Sequence, residues 1–107
     1  MELIHLTSEN FKSTLENNEG LVIVDFFATW CGPCRMLGPV MEEVQDEVAD
    51  KAKIYKVDID EGEDVARSYG IMSVPSVLFF KNGEEIGRFV GFKNKVQVIE
   101  EIEKYLS

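Results

Sequence analysis

The order of apolar and polar residues predicts two neighbouring strands with a helix between them. The run LVIVDFF at positions 21–27 is nearly continuous and rich in β-branched and aromatic residues, which is typical of a central strand buried on both faces. The segment KIYKVDI at positions 53–59 alternates and predicts a second strand. A strand, a helix and a strand in this order favour a parallel pair with a right-handed connection.

The segment between these strands has the pattern of an amphipathic helix. Its apolar residues recur at spacings of three and four, so that one face would pack against the sheet. They are Leu37, Val40, Met41, Val44 and Val48. Pro39 lies inside this helix and is expected to bend it, because proline removes a backbone hydrogen bond.

The N-terminal residues predict a further strand and helix. LIHL at positions 3–6 could form an edge strand. Thr7 or Ser8 could cap the helix that follows. Phe11 and Leu15 would lie together on one face of that helix.

The second half of the chain predicts a helix, a hairpin and a closing helix. A short helix around positions 65–69 is ended by Gly70. Two strand-like runs flank Asn82 and Gly83, which is a strong signal for a tight hairpin. The closing helix is marked by Val96, Ile99, Ile102 and Leu106. Together these elements predict an α/β fold with a mixed sheet covered on both sides.

Composition and charge limit the class of protein. The chain has 107 residues, so we expect a single domain over residues 1–107. The net charge of −9 disfavours nucleic acid and anionic membranes as partners. The N-terminus lacks a secretory signal, and no apolar run approaches the roughly 18 residues of a membrane span. We therefore expect a cytoplasmic protein.

Cys31 and Cys34 are the only cysteines and lie between the first long strand and its helix. In a reducing cytosol such a pair favours transient redox chemistry or metal binding. Cys31 falls at the helix start, where unpaired N–H groups and the helix dipole stabilise a thiolate and lower the thiol pKa. Cys34 sits one turn deeper and should be less exposed. This arrangement predicts thiol–disulfide exchange, in which Cys31 attacks a partner disulfide and Cys34 then releases the partner.

Two other interpretations of the cysteines are weaker. A closed zinc site needs four ligands, but the chain offers two cysteines and His5, far away in sequence. Inert core thiols would rarely fall at this spacing, at a strand-to-helix junction and beside Trp30. We interpret His5 as a surface residue without a role.

Asp25 is the one charged residue in the first long strand. Burial should raise the pKa of its carboxyl group, and Lys56 on the neighbouring strand could be its partner. Such a group beneath the helix start could accept the proton of Cys34, directly or through water. The alternative is a carboxylate at a strand end that binds backbone amides.

Farther along, Pro75 opens a predicted strand, but the pattern gives no reason to expect a cis bond before it.

Four segments in order resemble the thioredoxin family: VDFFATWCGPCRMLGP, KVDID, YGIMSVPSVLFFKNGE and VGF. The match covers essentially the whole chain, and Trp-Cys-Gly-Pro-Cys is a specific signature. The resemblance implies the thioredoxin fold, a central mixed sheet of about five strands flanked by four helices. It also implies catalytic roles for Cys31 as nucleophile, Cys34 as resolving thiol, Asp25 as proton-transfer group, Lys56 as its neighbour, and Pro75 as a cis proline that faces the cysteines and helps to exclude metal.

The resemblance further implies a flat, mostly apolar surface for an extended substrate segment, to which Val74 would offer backbone hydrogen bonds. The matching residues are Trp30, Gly32, Pro33, Met72, Ser73, Val74, Val90, Gly91 and Phe92. The chain departs from the common pattern at Phe27, Arg35 and Met72, where tryptophan, lysine and arginine are frequent. Arg35 and Met72 would border this surface, so these departures bear on partner choice.

The function implied is that of a general protein-disulfide reductase in cell redox homeostasis. It would act as a monomer, bind no cofactor or metal, and cycle the Cys31–Cys34 disulfide with electrons from NADPH or ferredoxin through thioredoxin reductase. Two alternatives remain open. Oxidising or isomerising relatives usually carry a histidine between the cysteines, where this chain has Gly32 and Pro33. A non-catalytic subunit would instead dock a partner through the apolar patch around Trp30 and Pro75.

Overall fold

One mixed sheet forms the centre of the computed structural model, which describes residues 2–106. Within these residues it has five strands in the order β1-β3-β2-β4-β5. The first three in that order are mutually parallel, and β4 and β5 are antiparallel to their neighbours. The strands are β1 (Ile4–His5), β2 (Leu21–Phe27), β3 (Ala52–Asp58), β4 (Ser76–Lys81) and β5 (Glu84–Val90).

Four helices accompany the sheet in the described chain, which confirms the predicted α/β fold and the thioredoxin architecture. They are α1 (Phe11–Asn17), α2 (Gly32–Val48), α3 (Glu63–Ser68) and α4 (Lys95–Leu106). Helix α2 continues through Pro39 as one helix. None of the described helices combines the length and the apolar character needed to cross a membrane.

Alternate residues of β2 point into two separate hydrophobic cores, as expected for a strand buried on both faces. Leu21 and Ile23 belong to the core beneath α2 and α4. Val22 and Val24 belong to the core beneath α1 and α3. Because side chains alternate along a strand, Asp25 shares the face of Leu21 and Ile23 and is directed towards α2.

The hairpin prediction is confirmed by the backbone. Asn82 and Gly83 join β4 to β5 and have φ angles of 54° and 81°. These values lie in the left-handed region, which asparagine and glycine adopt more easily than other residues, as a two-residue hairpin turn requires.

Two local predictions are wrong. Neither Thr7 nor Ser8 caps α1, because the helix begins at Phe11 with Asn10 in the cap position, and the Ser8 hydroxyl donates to the Asp64 carboxylate instead. In α4 we expected Val96 to lie on the apolar face, but its side chain is 67% exposed, whereas Val98 is fully buried. The buried stripe therefore starts at Val98, four residues before Ile102.

Candidate active site

The cysteine pair lies where β2 passes into α2. Cys31 occupies the cap position of α2, and its sulfur accepts a hydrogen bond from the Cys34 amide at 3.2 Å. The two residues form a disulfide with their Cα atoms 5.2 Å apart. Pro33 in the first turn of the helix removes an N–H that has no partner within the helix. The sulfur of Cys31 thus lies at the positive end of the helix, where a thiolate is favoured after reduction.

The prediction that Cys34 is less exposed than Cys31 is wrong for this disulfide form, because each residue is 5% exposed. The disulfide bond holds the two sulfur atoms together, so both cysteines are equally buried. The two cysteines differ instead in the cavity that each one lines. Cys31 lines a cavity of about 460 Å³, named here the contact groove, whose walls are residues 30–33, residues 71–74 and Ile59.

Cys34 lines a second cavity of about 300 Å³, named here the rear cavity. Its wall also includes Asp25, Lys56, Arg35 and Glu42. The two cavities have no lining residue in common. The structure therefore brings Asp25, Lys56 and Cys34 together, and it separates them from the groove beside Cys31.

Asp25 lies inside β2 rather than at its end and is 2% exposed. Its Oδ1 atom has no hydrogen-bond partner among the described residues. The alternative of a strand-end carboxylate bound by backbone amides is therefore wrong. Burial raises the pKa of Asp25 from 3.8 to about 7, and the positive charge of Lys56 opposes part of this rise.

Lys56 is the direct neighbour of Asp25 on β3 in the parallel pairing. Its ammonium group lies over the ring of Phe27, 5.6 Å from the ring centroid. Phe27 also contacts the ring of His5 edge-on, so His5 packs at the surface of the sheet near this group. The positive charge of Lys56 therefore acts on Asp25, and its ammonium group also makes a cation–π contact with Phe27.

Pro75 precedes β4 and follows a cis peptide bond from Val74, as the resemblance implied. The carbonyl oxygen of Val74 lies 3.7 Å from the sulfur of Cys31. The carbonyl oxygen of Pro75 accepts a hydrogen bond from the Gly91 amide at 2.9 Å, which brings residues 90–92 to the same end of the sheet.

Large apolar side chains are exposed around Cys31. Met72 is 97% exposed, Trp30 is 66% exposed, Val90 is 55% exposed and Phe92 is 43% exposed. Met72 and Trp30 line the contact groove together with Gly32, Pro33, Ser73 and Val74, whereas Val90, Gly91 and Phe92 lie outside it. Trp30 and Met72 lie together on one groove, and exposed apolar side chains that are grouped in this way commonly mark a binding surface.

Three residues at this site were not predicted from the sequence. Asp60 accepts a hydrogen bond from the Trp30 indole at 3.0 Å and so orients that ring. Ile59 and Ile71 complete the wall of the contact groove. Ile59 follows β3 directly and Ile71 lies three residues beyond the end of α3, and only these positions after a strand and a helix could have suggested them.

No group of three or more His, Cys, Asp or Glu side chains within residues 2–106 is placed to hold a metal ion. A Cys-x-x-Cys disulfide at the start of a helix, on a mixed sheet of this order, defines a thiol–disulfide oxidoreductase.

Comparison with known proteins gives the family. The thioredoxin family model matches residues 2–104. The chain is 44% identical over 106 residues to the thioredoxin of Bacillus subtilis, which covers 99% of this chain and all of that protein. It is 47% identical over 91 residues to the thioredoxin of Listeria monocytogenes, with 85% and 88% covered. It is 42% identical over 106 residues to a thioredoxin of Staphylococcus epidermidis, with 99% and 100% covered.

The chain therefore belongs to the thioredoxin family, and the resemblance seen in its sequence is confirmed. It is a protein-disulfide oxidoreductase. Members of this family carry no bound cofactor, act on disulfides of other proteins and receive electrons from a reductase.

Proposed function

We propose that this chain is a general protein-disulfide reductase of the reducing cytoplasm, formed as one thioredoxin domain over residues 1–107. A thioredoxin reductase returns it to the dithiol form with electrons from NADPH or ferredoxin. The observation that carries this proposal is the placement of the two cysteines, with Cys31 on the contact groove and Cys34 on the cavity that holds Asp25.

The first step joins the two proteins. The Cys31 thiolate attacks a disulfide sulfur of the partner, a mixed disulfide forms, and the partner's other sulfur leaves as a thiolate and takes a proton from solvent. The helix start favours the anionic sulfur, and the Cys34 amide at 3.2 Å already points to it.

The second step separates them. Cys34 transfers its proton to Asp25, directly or through water in the rear cavity, and its sulfur attacks Cys31. The Cys31–Cys34 disulfide closes as the bond between Cys31 and the partner breaks, and the partner's sulfur leaves as a thiolate that takes a proton from solvent. A pKa of about 7 suits Asp25 to this role, because near neutral pH the carboxyl group can both take and release a proton.

The remaining proposed residues support these steps. Lys56 keeps the pKa of Asp25 from rising further. Pro75 holds the loop before β4 beside Cys31, and Val74 offers its backbone to the substrate segment. The surface that receives this segment consists of Trp30, Gly32, Pro33, Met72, Ser73, Val74, Val90, Gly91 and Phe92.

The test of these roles is covalent trapping. The Cys34→Ser variant should accumulate partner proteins on Cys31 as mixed disulfides, because the second attack is lost, and dithiothreitol should release them. The matched Cys31→Ser variant should trap few, because Cys34 lines the rear cavity and not the contact groove that receives the partner. Equal trapping by both variants, or trapping by neither, would contradict the assigned roles.

A second experiment tests the direction of the reaction. The wild-type chain should reduce insulin with a reductase and NADPH, and equilibration with a glutathione buffer should give a reducing potential near the thioredoxin value of about −270 mV. A potential near the roughly −120 mV of strongly oxidising relatives would overturn the reductase proposal. Partner binding that persists after both cysteines are changed to serine would indicate a docking subunit.

A further inference from the structure

Met72 is the most exposed of the methionines whose placement the structure describes. Its side chain is 97% exposed and lines the contact groove beside Cys31. Met36 is 61% exposed on α2 but does not line the groove, and Met41 is fully buried in the core. Met72 is thus an open thioether at the site that receives substrate.

We propose that Met72 is an oxidation site through which hydroperoxides weaken substrate docking. This inference rests on the proposed reductase function. A hydroperoxide transfers one oxygen atom to the Met72 sulfur, which loses two electrons and becomes a sulfoxide, while hydrogen peroxide is reduced to water. No sulfur–sulfur bond forms or breaks in this step.

The disulfide form favours oxidation at this methionine. The sulfur that peroxide ordinarily attacks first is an exposed thiolate. In the disulfide form both cysteine sulfurs are bonded to each other, and both residues are 5% exposed. Met72 is then the most accessible sulfur on the groove, so it is oxidised when the protein remains in its disulfide form.

The sulfoxide changes the character of the groove. An apolar and flexible side chain becomes polar, and the apolar part of a substrate segment loses a favourable contact. The neighbouring walls, formed by Trp30, Ile59, Ile71 and Val74, remain apolar. The expected result is weaker docking of protein substrates, while the thiol chemistry of Cys31 is preserved.

The experiment treats the disulfide form with hydrogen peroxide and follows Met72, Met36 and Met41 by peptide mass spectrometry. Oxidation should follow exposure, with Met72 first, Met36 later and Met41 last. Oxidation of Met36 ahead of Met72, or no preference between them, would overturn the proposal.

The same samples are then reduced briefly with dithiothreitol, freed of it, and mixed with insulin or with a small aromatic disulfide. Oxidation at Met72 should lower the rate constant for insulin by about fivefold, which corresponds to about 1 kcal/mol. The rate with the small disulfide should not change, since that reagent needs only the Cys31 sulfur. An equal loss with both substrates would overturn the proposal.

Two variants serve as matched controls, each compared with its own untreated sample. Met72→Leu stays apolar and cannot form a sulfoxide, so peroxide should no longer lower its rate with insulin. Met36→Leu should remain as sensitive as the wild-type chain. Continued sensitivity of Met72→Leu would refute the inference, whereas failure of the untreated protein to reduce insulin would refute the proposed function and leave the order of oxidation unaffected.

Discussion

Asp25 is a buried carboxyl group that should make the free energy of unfolding depend on pH. Burial raises its folded-state pKa to about 7, above the ordinary value of 3.8. Between these two pH values the folded protein keeps a proton that the unfolded chain has released. The contribution of Asp25 therefore lowers the free energy of unfolding as pH rises through this window, and the loss is complete above about pH 7.

The change from Asp25 to asparagine removes the charge and keeps the shape of the side chain. The rise from 3.8 to about 7, at about 1.36 kcal/mol per pKa unit, corresponds to about 4 kcal/mol at pH 8. We therefore expect the Asp25→Asn variant to gain about 4 kcal/mol over the wild-type chain at pH 8 and under about 1 kcal/mol at pH 4. The gain arises because an ionised group without a partner on Oδ1 is no longer buried.

The assay is urea unfolding of the disulfide form at closely spaced pH values between 4 and 8. Glu42→Gln is the matched control, because it removes a carboxylate from the same cavity at a half-buried position. The difference between Asp25→Asn and wild type should grow through the window, whereas the control should stay nearly parallel to wild type. A difference that is the same at pH 4 and pH 8 would refute the raised pKa of Asp25.

Three further predictions concern catalysis and packing. Asp25→Asn should slow the attack of Cys34 on the mixed disulfide by about 10- to 100-fold, because Cys34 loses its proposed proton acceptor. Quenched-flow trapping of the intermediate measures this step, and an unchanged rate would contradict the proposed role of Asp25. Lys56→Met should raise the pKa of Asp25 further, since Lys56 lowers it, so the pH midpoint of the stability difference should move up; a fixed or lowered midpoint would contradict this. Gly87→Ala should lower the free energy of unfolding in urea by about 1–3 kcal/mol, because its Cβ would clash with the Tyr105 hydroxyl oxygen and would lie 2.6 Å from the ring carbon that bears it. An unchanged urea midpoint would show that Tyr105 moves aside freely.

The sequence predicts the central elements well because burial leaves a clear pattern in them. The run at 21–27 matches β2 at both ends, and the parallel pairing with β3 follows from the order of strand, helix and strand. The hairpin is predictable because Asn82 and Gly83 favour left-handed backbone. These signals are local, so they need no knowledge of the rest of the fold.

The errors occur where distant contacts decide the outcome. Val96 and Val98 are equally apolar, and only the way α4 docks on the sheet determines that Val98 is buried. Thr7 and Ser8 are good capping residues, but the Ser8 hydroxyl donates instead to the Asp64 carboxylate, far along the chain. The capping preference of a residue type cannot show that a distant side chain competes for the same hydroxyl group.

At the candidate site, too, features with a local sequence signal are predictable and features set by distant contacts are not. The position of Cys31 at the helix start and the burial of Asp25 follow from short stretches of sequence. The bond from Trp30 to Asp60 spans thirty residues and leaves no local signal. The equal exposure of the two cysteines depends on the closed bridge, a covalent state that the order of residues does not specify.

The separation of the two cavities has a consequence for how a bound protein is handled. The contact groove and the rear cavity are lined by different residues, so a substitution in one wall leaves the residues of the other wall unchanged. Affinity for a partner protein can therefore be altered at the groove without changing the residues of the proposed proton transfer.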